Sequence, residues 1–547
     1  MSGRSSTFDY VVVGAGSAGC VVANRLLKAG YSVALVEAGG EDRHFWLHLP
    51  VGYFRTIFDE RFARHFETEP QPTSGDRPIV WPRGRVLGGS SSINGLIYIR
   101  GQHQDYDDWA RQGADGWHYD AVLPWFIKSE GYAGPRSRWH GHDGELGVSD
   151  LQNDHPYCAR WLEAAQQFGL PFNPDFNGET DFGVGPYQLS IRNGWRSSTA
   201  KAFLAPVRRS PKLEVLTHTH VSRVVFEGLR AVGVECAAVG RRSHGTAPLQ
   251  AGARVLHDDG ARLLRAEREV ILCAGALQSP QLLQLSGIGP ADLLREHGIA
   301  VRVDAPEVGE NLQDHYQART IVRLREKRSL NSDVRNPLKL AQMGWQWLSA
   351  SRGPLTVGAG QVGGFAKSSL AHDDRADIQF NVMPLSADKP GDPLHAYPGF
   401  TVSACQCRPR SRGSVRIRSS DPLADPRIVP NYLVEPHDRK VLVEGLEMIR
   451  EIYRQPAFRD LWIEETLPGG QDLGEFARTR GGTVFHPTST CRMGSDPGAV
   501  VDPALRVRGV DGLRVIDASV MPSVISANTN AATIMIAERG AALLQQA

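Results

Sequence analysis

Gly14-Ala-Gly16-Ser-Ala-Gly19 stands directly after the short apolar, β-branched run Phe8–Val13. An apolar stretch with helical spacing follows it to Leu27 and is closed by Gly30. Ser32–Glu37 then reads as a second strand. This order predicts a strand–helix–strand unit with parallel, buried strands. Gly14 permits the tight turn, Gly16 lets a pyrophosphate approach the backbone, and Gly19 lets helix and strand pack closely. The helix N-terminus offers free N–H groups and a positive dipole end to the phosphates. Glu37, at the end of the second strand, can accept hydrogen bonds from a ribose diol and disfavours a 2′-phosphate. The unit therefore predicts a dinucleotide site. The motif by itself does not separate FAD from NAD.

A chain of 547 residues is too long for one core, so two domains or one elaborate domain is expected. Lys and Arg total 61 against 60 Asp and Glu, which offers no basic footprint for a nucleic-acid partner. The seven cysteines are scattered without a Cys-x-x-Cys pair, so neither a disulfide framework nor a zinc site is expected. No apolar signal core precedes Phe8. The reading is a cytoplasmic protein, with peripheral contact at the inner membrane left open. The sequence gives no reading of oligomeric state.

Further strands are expected at Leu213–Thr217, Val221–Phe226, Ala231–Cys236 and Glu269–Cys273, and a polar hairpin tip or insertion over 240–260. Residues 40–105 read as loops wrapped over a cofactor. The region 316–470 has its own texture, with strand-like Ala376–Val382, Gly399–Cys407 and Gly413–Ile417 and a helix near Arg439–Arg454. Strand-then-helix signals return at Leu513–Ile516 and Ala531–Leu544.

Gly84-Arg-Val-Leu-Gly-Gly-Ser-Ser-Ser-Ile-Asn94, with Tyr98, Gly101 and Asp107, resembles the first signature of the glucose–methanol–choline (GMC) oxidoreductases. Gly275–Ser279-Pro280 through Ser286-Gly287-Ile-Gly289 is similar to the second. Gly309-Glu-Asn-Leu-Gln-Asp-His315 and the C-terminal blocks also fit, so the resemblance runs from about residue 8 to 545. It implies an α/β fold: a Rossmann-like FAD domain from 1–155, 205–315 and 475–547, and a substrate domain on an antiparallel sheet from 156–204 and 316–474.

The resemblance implies that FAD is lined by Gly14, Gly16, Ser17, Ala18, Gly19, Glu37, Ala38 and Arg85. It adds Gly88, Gly89, Ser90, Asn94 and Gly95 around the ring system and Val221 at the adenine. Ala274, Gly275, Asp517, Ala518, Asn528 and Thr529 complete the lining. Where some relatives carry a histidine that binds FAD covalently, this chain has Ile93, which implies non-covalent flavin.

Gly481–His486-Pro-Thr-Ser-Thr-Cys-Arg-Met-Gly494 and Ser526-Ala-Asn528-Thr-Asn530 resemble the family's catalytic blocks. The matching positions imply His486 as general base and Asn530 as its amide partner, with Asn528 the neighbour most exposed to an error of register. Loss of the hydroxyl proton makes a carbinol carbon a good hydride donor, and a neutral imidazole can take that proton. An amide can hold the oxygen but is no base. His65, His140, His142 and His315 lack metal-ligand spacing and read as surface or cofactor-rim residues, with no metal expected.

The implied reaction is oxidation of an alcohol, with electrons passed to a quinone-type acceptor. Two alternatives are an oxidase that reduces O2 to H2O2 and a flavin-dependent lyase such as a fatty-acid photodecarboxylase. The lyase reading is invited by Cys407-Arg408, although packing on a strand beside Cys405 explains Cys407 equally simply.

Overall fold

The computed structural model describes residues 6–153, 155–241, 254–256, 262–326, 329–389 and 391–546. The expected insertion at 240–260 lies largely outside them. The first strand, Ser6–Val13, feeds the helix Gly19–Lys28 and returns as Val33–Val36. Ser6–Val13 pairs in parallel with Val33–Val36 on one side and with Arg262–Leu272 on the other. Leu213–Leu216 and Leu513–Val515 extend the parallel part at its two edges. The antiparallel strands Arg230–Arg241 and Thr219–Glu227 attach to the early half of Arg262–Leu272.

Val11, Val12, Val33, Leu35, Val270 and Ile271 are fully buried, as near-continuous apolar strands covered on both faces must be. Each such side chain contributes about 1.5–3 kcal/mol relative to exposure. The helix Gly19–Lys28 packs beside the C-terminal helix Thr529–Gln546. There Arg25 Nε donates to Glu538 Oε2 at 2.8 Å.

A second sheet is antiparallel throughout. Its order is Trp462–Leu467, Tyr316–Leu324, Gly399–Gln406, Ile378–Met383, Val362–Ala366 and Gly183–Pro186. The helix Pro436–Arg454 lies against it, close enough at Gly445 that a Cβ would sit 2.9 Å from the Ala404 methyl. The strands of the first sheet all lie within 1–155, 205–315 and 475–547. Those of the second come from 156–204 and 316–474, except that Gly482–Thr483 pairs onto Tyr316–Gln317.

Two expectations differ locally. Ser414–Arg416 does not join the second sheet but forms a ribbon with Arg427–Val429. Within 40–105, Ala63–Glu67 and Val80–Gly84 form a ribbon and short helices surround it, so the segment is more regular than its Pro and Gly content suggests.

Candidate active site

The C-terminal ends of three parallel strands open into a cavity of about 390 Å3, lined there by Val13, Gly14, Val36, Glu37, Cys273 and Ala274. That is where open α/β sheets bind ligands. Gly14 has φ +98°, and a Cβ there would stand 2.5 Å from the Cys273 carbonyl oxygen. A Cβ on Gly19 would collide with the Gly14 carbonyl. These two glycines are demanded by the fold.

Gly16 is different. A Cβ there would meet only Gly89 Cα, at 3.9 Å, so the protein's own packing does not require glycine. What the missing side chain leaves is a cradle at the start of a helix, which suits a pyrophosphate. Glu37 is buried and accepts from Ala15 N–H (3.0 Å) and Gly39 N–H (2.8 Å). Burial raises its pKa to about 7 against those bonds and Arg85. A ribose diol would supply the further donors that such a carboxylate can accept.

Asp517, also buried, fastens the opposite wall. It accepts from Gly275 N–H (2.8 Å), Ser279 Oγ–H (2.6 Å) and Ser519 N–H (2.8 Å). Burial pushes its carboxyl up while these bonds pull it down. Of the cofactor residues expected from the sequence, all line the cavity except Gly19 and Gly88. Gly19 is spent on packing, and Gly88 (φ +87°) shapes the turn while its N–H bonds to Ala15 O at 2.7 Å. Ile93 lines the cavity with an aliphatic side chain. The donor set, the open cradle and the buried acid therefore fit a dinucleotide such as FAD.

His486 sits at the other end of the cavity on a strained turn, for Phe485 (φ +68°) and Ser489 (φ +75°) are left-handed without being glycine. The Gln313-Asp314-His315 segment holds that turn. Asp314 Oδ1 accepts from His486 N–H (2.6 Å) and its Oδ2 accepts from Thr483 Oγ1–H (2.5 Å) and Tyr432. His486 Nδ1 lies 2.9 Å from His315 Nδ1, and His315 Nε2 lies 2.9 Å from the Cys407 carbonyl oxygen.

A carbonyl only accepts, so His315 Nε2 carries the hydrogen. Burial pushes the His315 pKa down to about 4, which leaves the ring neutral and its Nδ1 an acceptor. His486 Nδ1–H must then be the donor, and His486 Nε2 is left as an acceptor. Burial, His315 and Arg83 hold the His486 pKa well below the usual histidine value, so the ring is neutral at pH 7.

The amide beside this acceptor belongs to Asn528, whose Nδ2–H donates to His486 Nε2 at 3.1 Å. Its Oδ1 accepts from Gln379 Nε2–H at 3.3 Å, which fixes the amide's orientation. Asn530, the residue matched from the sequence, instead accepts from Ser17 Oγ–H at 2.8 Å. It joins the start of the C-terminal helix to the glycine loop and does not meet His486. The register of that pair is therefore corrected by two residues. Asp105 anchors the turn that delivers Asn528, accepting from Ser526 N–H (2.7 Å) and Oγ–H (2.9 Å).

Two histidines read as rim residues are buried. His315 is the second ring of the pair, and His140 lies between Glu130 (3.0 Å) and Asp175 (3.0 Å), bonds that raise its pKa to about 9 against burial. His65 and His142 are half-buried and bond to carbonyls of Ile57 and Tyr132. All seven cysteines are buried as free thiols. Cys407 is not part of the cavity wall. Its carbonyl orients His315 and its Sγ points to Cys405 O (3.7 Å).

Beyond His486 the second sheet forms the wall. Gln317 and Arg319, Asn381 and Met383, Thr401 and Ser403 reach the cavity at alternate positions. The residues that alternate with them, Ala318, Phe380, Val382 and Val402, belong to the buried core on the helix side. This is the period-two division of a strand.

A glycine cradle that fits a dinucleotide meets a neutral, oriented histidine under an antiparallel sheet, an arrangement suited to a nucleotide-dependent oxidoreductase. The N-terminal profile of the GMC oxidoreductases matches residues 8–317 and their C-terminal profile residues 409–537, and the chain belongs to that family. It is 39% identical to an "Alcohol dehydrogenase [acceptor]" of Pseudomonas putida, covering 98% of this chain and 95% of that protein. It is 40% identical to the mitochondrial choline dehydrogenase of Homo sapiens, covering 98% and 90%. Among solved structures, pyridoxine 4-oxidase from Mesorbium loti superposes with a TM-score of 0.84 at 30% identity, covering 98% of this chain and 99% of that one. A fungal aryl-alcohol oxidase superposes at 0.80 and 26% identity, covering 98% and 99%.

Proposed function

We propose that the protein oxidises an alcohol to the aldehyde or ketone, with His486 as base, Asn528 as the amide that holds the oxygen, and FAD held non-covalently. The observation that carries this reading is buried, neutral His486, whose Nε2 is an acceptor facing the Asn528 amide. FAD, when bound along the cavity, supplies the acceptor for the two electrons that leave carbon as a hydride. Gly16, the first turn of its helix and Glu37 would hold the nucleotide, and the Gly88–Gly95 loop and Asp517 would frame the ring. Ile93 offers no nucleophile for a covalent link.

The substrate hydroxyl replaces the direct amide–imidazole contact. Its oxygen accepts from Asn528 Nδ2–H and its hydrogen goes to His486 Nε2. The O–H electrons then form the carbonyl as the C–H pair departs. The proton enters a ring whose other nitrogen stays bonded to His315, so no reorientation accompanies the transfer. Partners already held in place favour such transfer.

Neutral alcohols suit the wall better than a quaternary ammonium. Away from the nucleotide end the cavity carries Arg83, Arg319 and Lys389 against Asp392. A quinone-type acceptor is favoured over O2 by the texture of the His-Pro-x-x-Thr-Cys-Arg-Met-Gly and Asn-x-Asn blocks. A panel of primary, aryl and choline-type alcohols, scored by anaerobic bleaching of bound flavin and then by dye reduction and peroxide release in air, tests all three points. Bleaching by neutral alcohols with slow peroxide release is the expected result. Bleaching by choline alone would reassign the substrate, peroxide release as fast as dye reduction would reassign the acceptor, and no bleaching by any alcohol would remove the reading.

A further inference from the structure

The helix Pro337–Ala350 buries Met343 and Trp347 on one face and leaves Leu338, Trp345 and Leu348 on the other. Those three are the most exposed large apolar side chains among the described residues, at 80%, 70% and 71%. With Ala341 they stand at helical spacings of three, four and three residues, so they form one stripe. Soluble surfaces scatter such residues singly, and a stripe of this kind marks a contact. Its buried face is already satisfied: Trp347 packs edge-on against Trp195 at 4.5 Å and donates from Nε1 to Gly194 O at 2.9 Å.

The charge around the stripe selects the occupant. From Val334 to Gly360 the sequence holds Arg335, Lys339 and Arg352 and no Asp or Glu. Lys339 falls on the polar flank of the helix beside Gln342, to which its Nζ donates at 3.2 Å. Arg335 and Arg352 bracket its two ends. Leucine and tryptophan on one side with cations along the border is the pattern of a helix lying in a bilayer interface. Among the described residues no helix is long and apolar enough to cross a membrane, so the contact would be one of lying on the surface.

We propose that the face of Pro337–Ala350 carrying Leu338, Trp345 and Leu348 docks the protein on an anionic lipid bilayer. The residues just before this helix are tied to the cavity wall. Asn331 Nδ2 donates to Ser386 O (3.1 Å) and His395 O (3.1 Å), and Arg335 donates to Leu394 O (2.6 Å). Leu385, Ala387 and Leu394 line the cavity. Docking therefore sets one wall of the cavity near the lipid, where an apolar alcohol or acceptor is concentrated.

The test is co-sedimentation of the flavin-loaded full chain with vesicles of phosphatidylglycerol and phosphatidylcholine in equal parts, and with phosphatidylcholine alone. The expected result is binding to the anionic vesicles, weakened by salt, with Trp345 emission shifted to the blue. Trp345→Glu combined with Leu348→Glu should lower the partition coefficient roughly a hundredfold, and Lys339→Ala roughly fivefold. Flavin content and dye-linked turnover on a water-soluble alcohol should stay unchanged, which separates loss of docking from misfolding and from failure of the catalytic reading. Absence of binding by the unaltered protein, or equal binding by the Trp345→Glu, Leu348→Glu variant, would overturn the proposal. So would a dimer of the unaltered protein that the same substitutions convert to monomer without any vesicle binding.

Discussion

At one end of the cavity the wall is main chain, and at the other it is side chain. Around Gly14–Gly19 the requirement is that backbone pass close to backbone, as the Cys273 carbonyl does to Gly14. Around His486 each function rests on a side chain whose direction is set by another side chain, His315 behind the imidazole and Gln379 behind the Asn528 amide. A close-packed backbone admits almost no substitution, whereas an oriented side chain can be removed while its surroundings persist. The two ends should therefore fail differently when altered.

The largest effect is expected at Gly19. Any side chain collides with the Gly14 carbonyl, so Gly19→Val should yield no folded flavoprotein, measured as soluble yield and visible absorbance. Gly16→Val sharpens the contrast, because the Cβ it adds meets only Gly89 Cα, at an ordinary contact distance of 3.9 Å. It should fold with an unchanged far-UV spectrum yet retain almost no flavin. A yellow Gly16→Val protein would contradict the cradle.

At the other end, Asn528→Ala should lower the rate of flavin reduction by roughly a hundredfold at unchanged flavin content, the scale for losing one donor to a developing oxyanion. Asn530→Ala should instead weaken flavin retention and alter turnover by no more than about threefold once flavin is replenished, since Asn530 bonds to the glycine loop through Ser17. If the two variants exchange these phenotypes, the pairing of Asn528 with His486 does not carry the chemistry.

His315→Leu removes the acceptor that keeps hydrogen off His486 Nε2. Its rate should drop roughly tenfold, and its acid limb should rise in pH, because His315 is one of the groups that lower the His486 pKa. Stability carries the same sign. Between the unfolded value near about 6.5 and the folded value of about 4, the unfolded chain binds a proton that His315 does not. Folding free energy should thus fall by about 1.4 kcal/mol per pH unit as pH drops through that window, and His315→Leu should flatten the slope. Melting temperature against pH reads this directly.

The same contrast explains what could be read in the sequence. Glycines at Gly14, Gly16 and Gly19 are legible because only one residue type answers a backbone collision or a bare helix start, and the strand–helix–strand order around them is local. The strands at 376–382 and 399–407 were legible as strands, but both of their faces are buried, so nothing in the pattern separates Asn381 and Thr401 on the cavity side from Phe380 and Val402 on the core side. Asn528 and Asn530 are chemically identical and stand two apart at a helix start, where direction follows no periodicity. Only the tertiary partners Gln379 and Ser17 tell them apart. His315 belonged to a motif that was visible, yet its burial against His486 depends on residues 171 positions away.

The base at His486 is tested most directly by anaerobic stopped-flow reduction of bound flavin by a primary alcohol, comparing the unaltered protein with His486→Ala at matched flavin content. Removal of a positioned base predicts a loss of roughly a thousandfold. It also predicts an acid limb in the unaltered protein that lies below the ordinary histidine value of about 6.5 and is absent from the variant. Reduction of His486→Ala within threefold of the unaltered rate, or an identical acid limb in both proteins, would contradict the account.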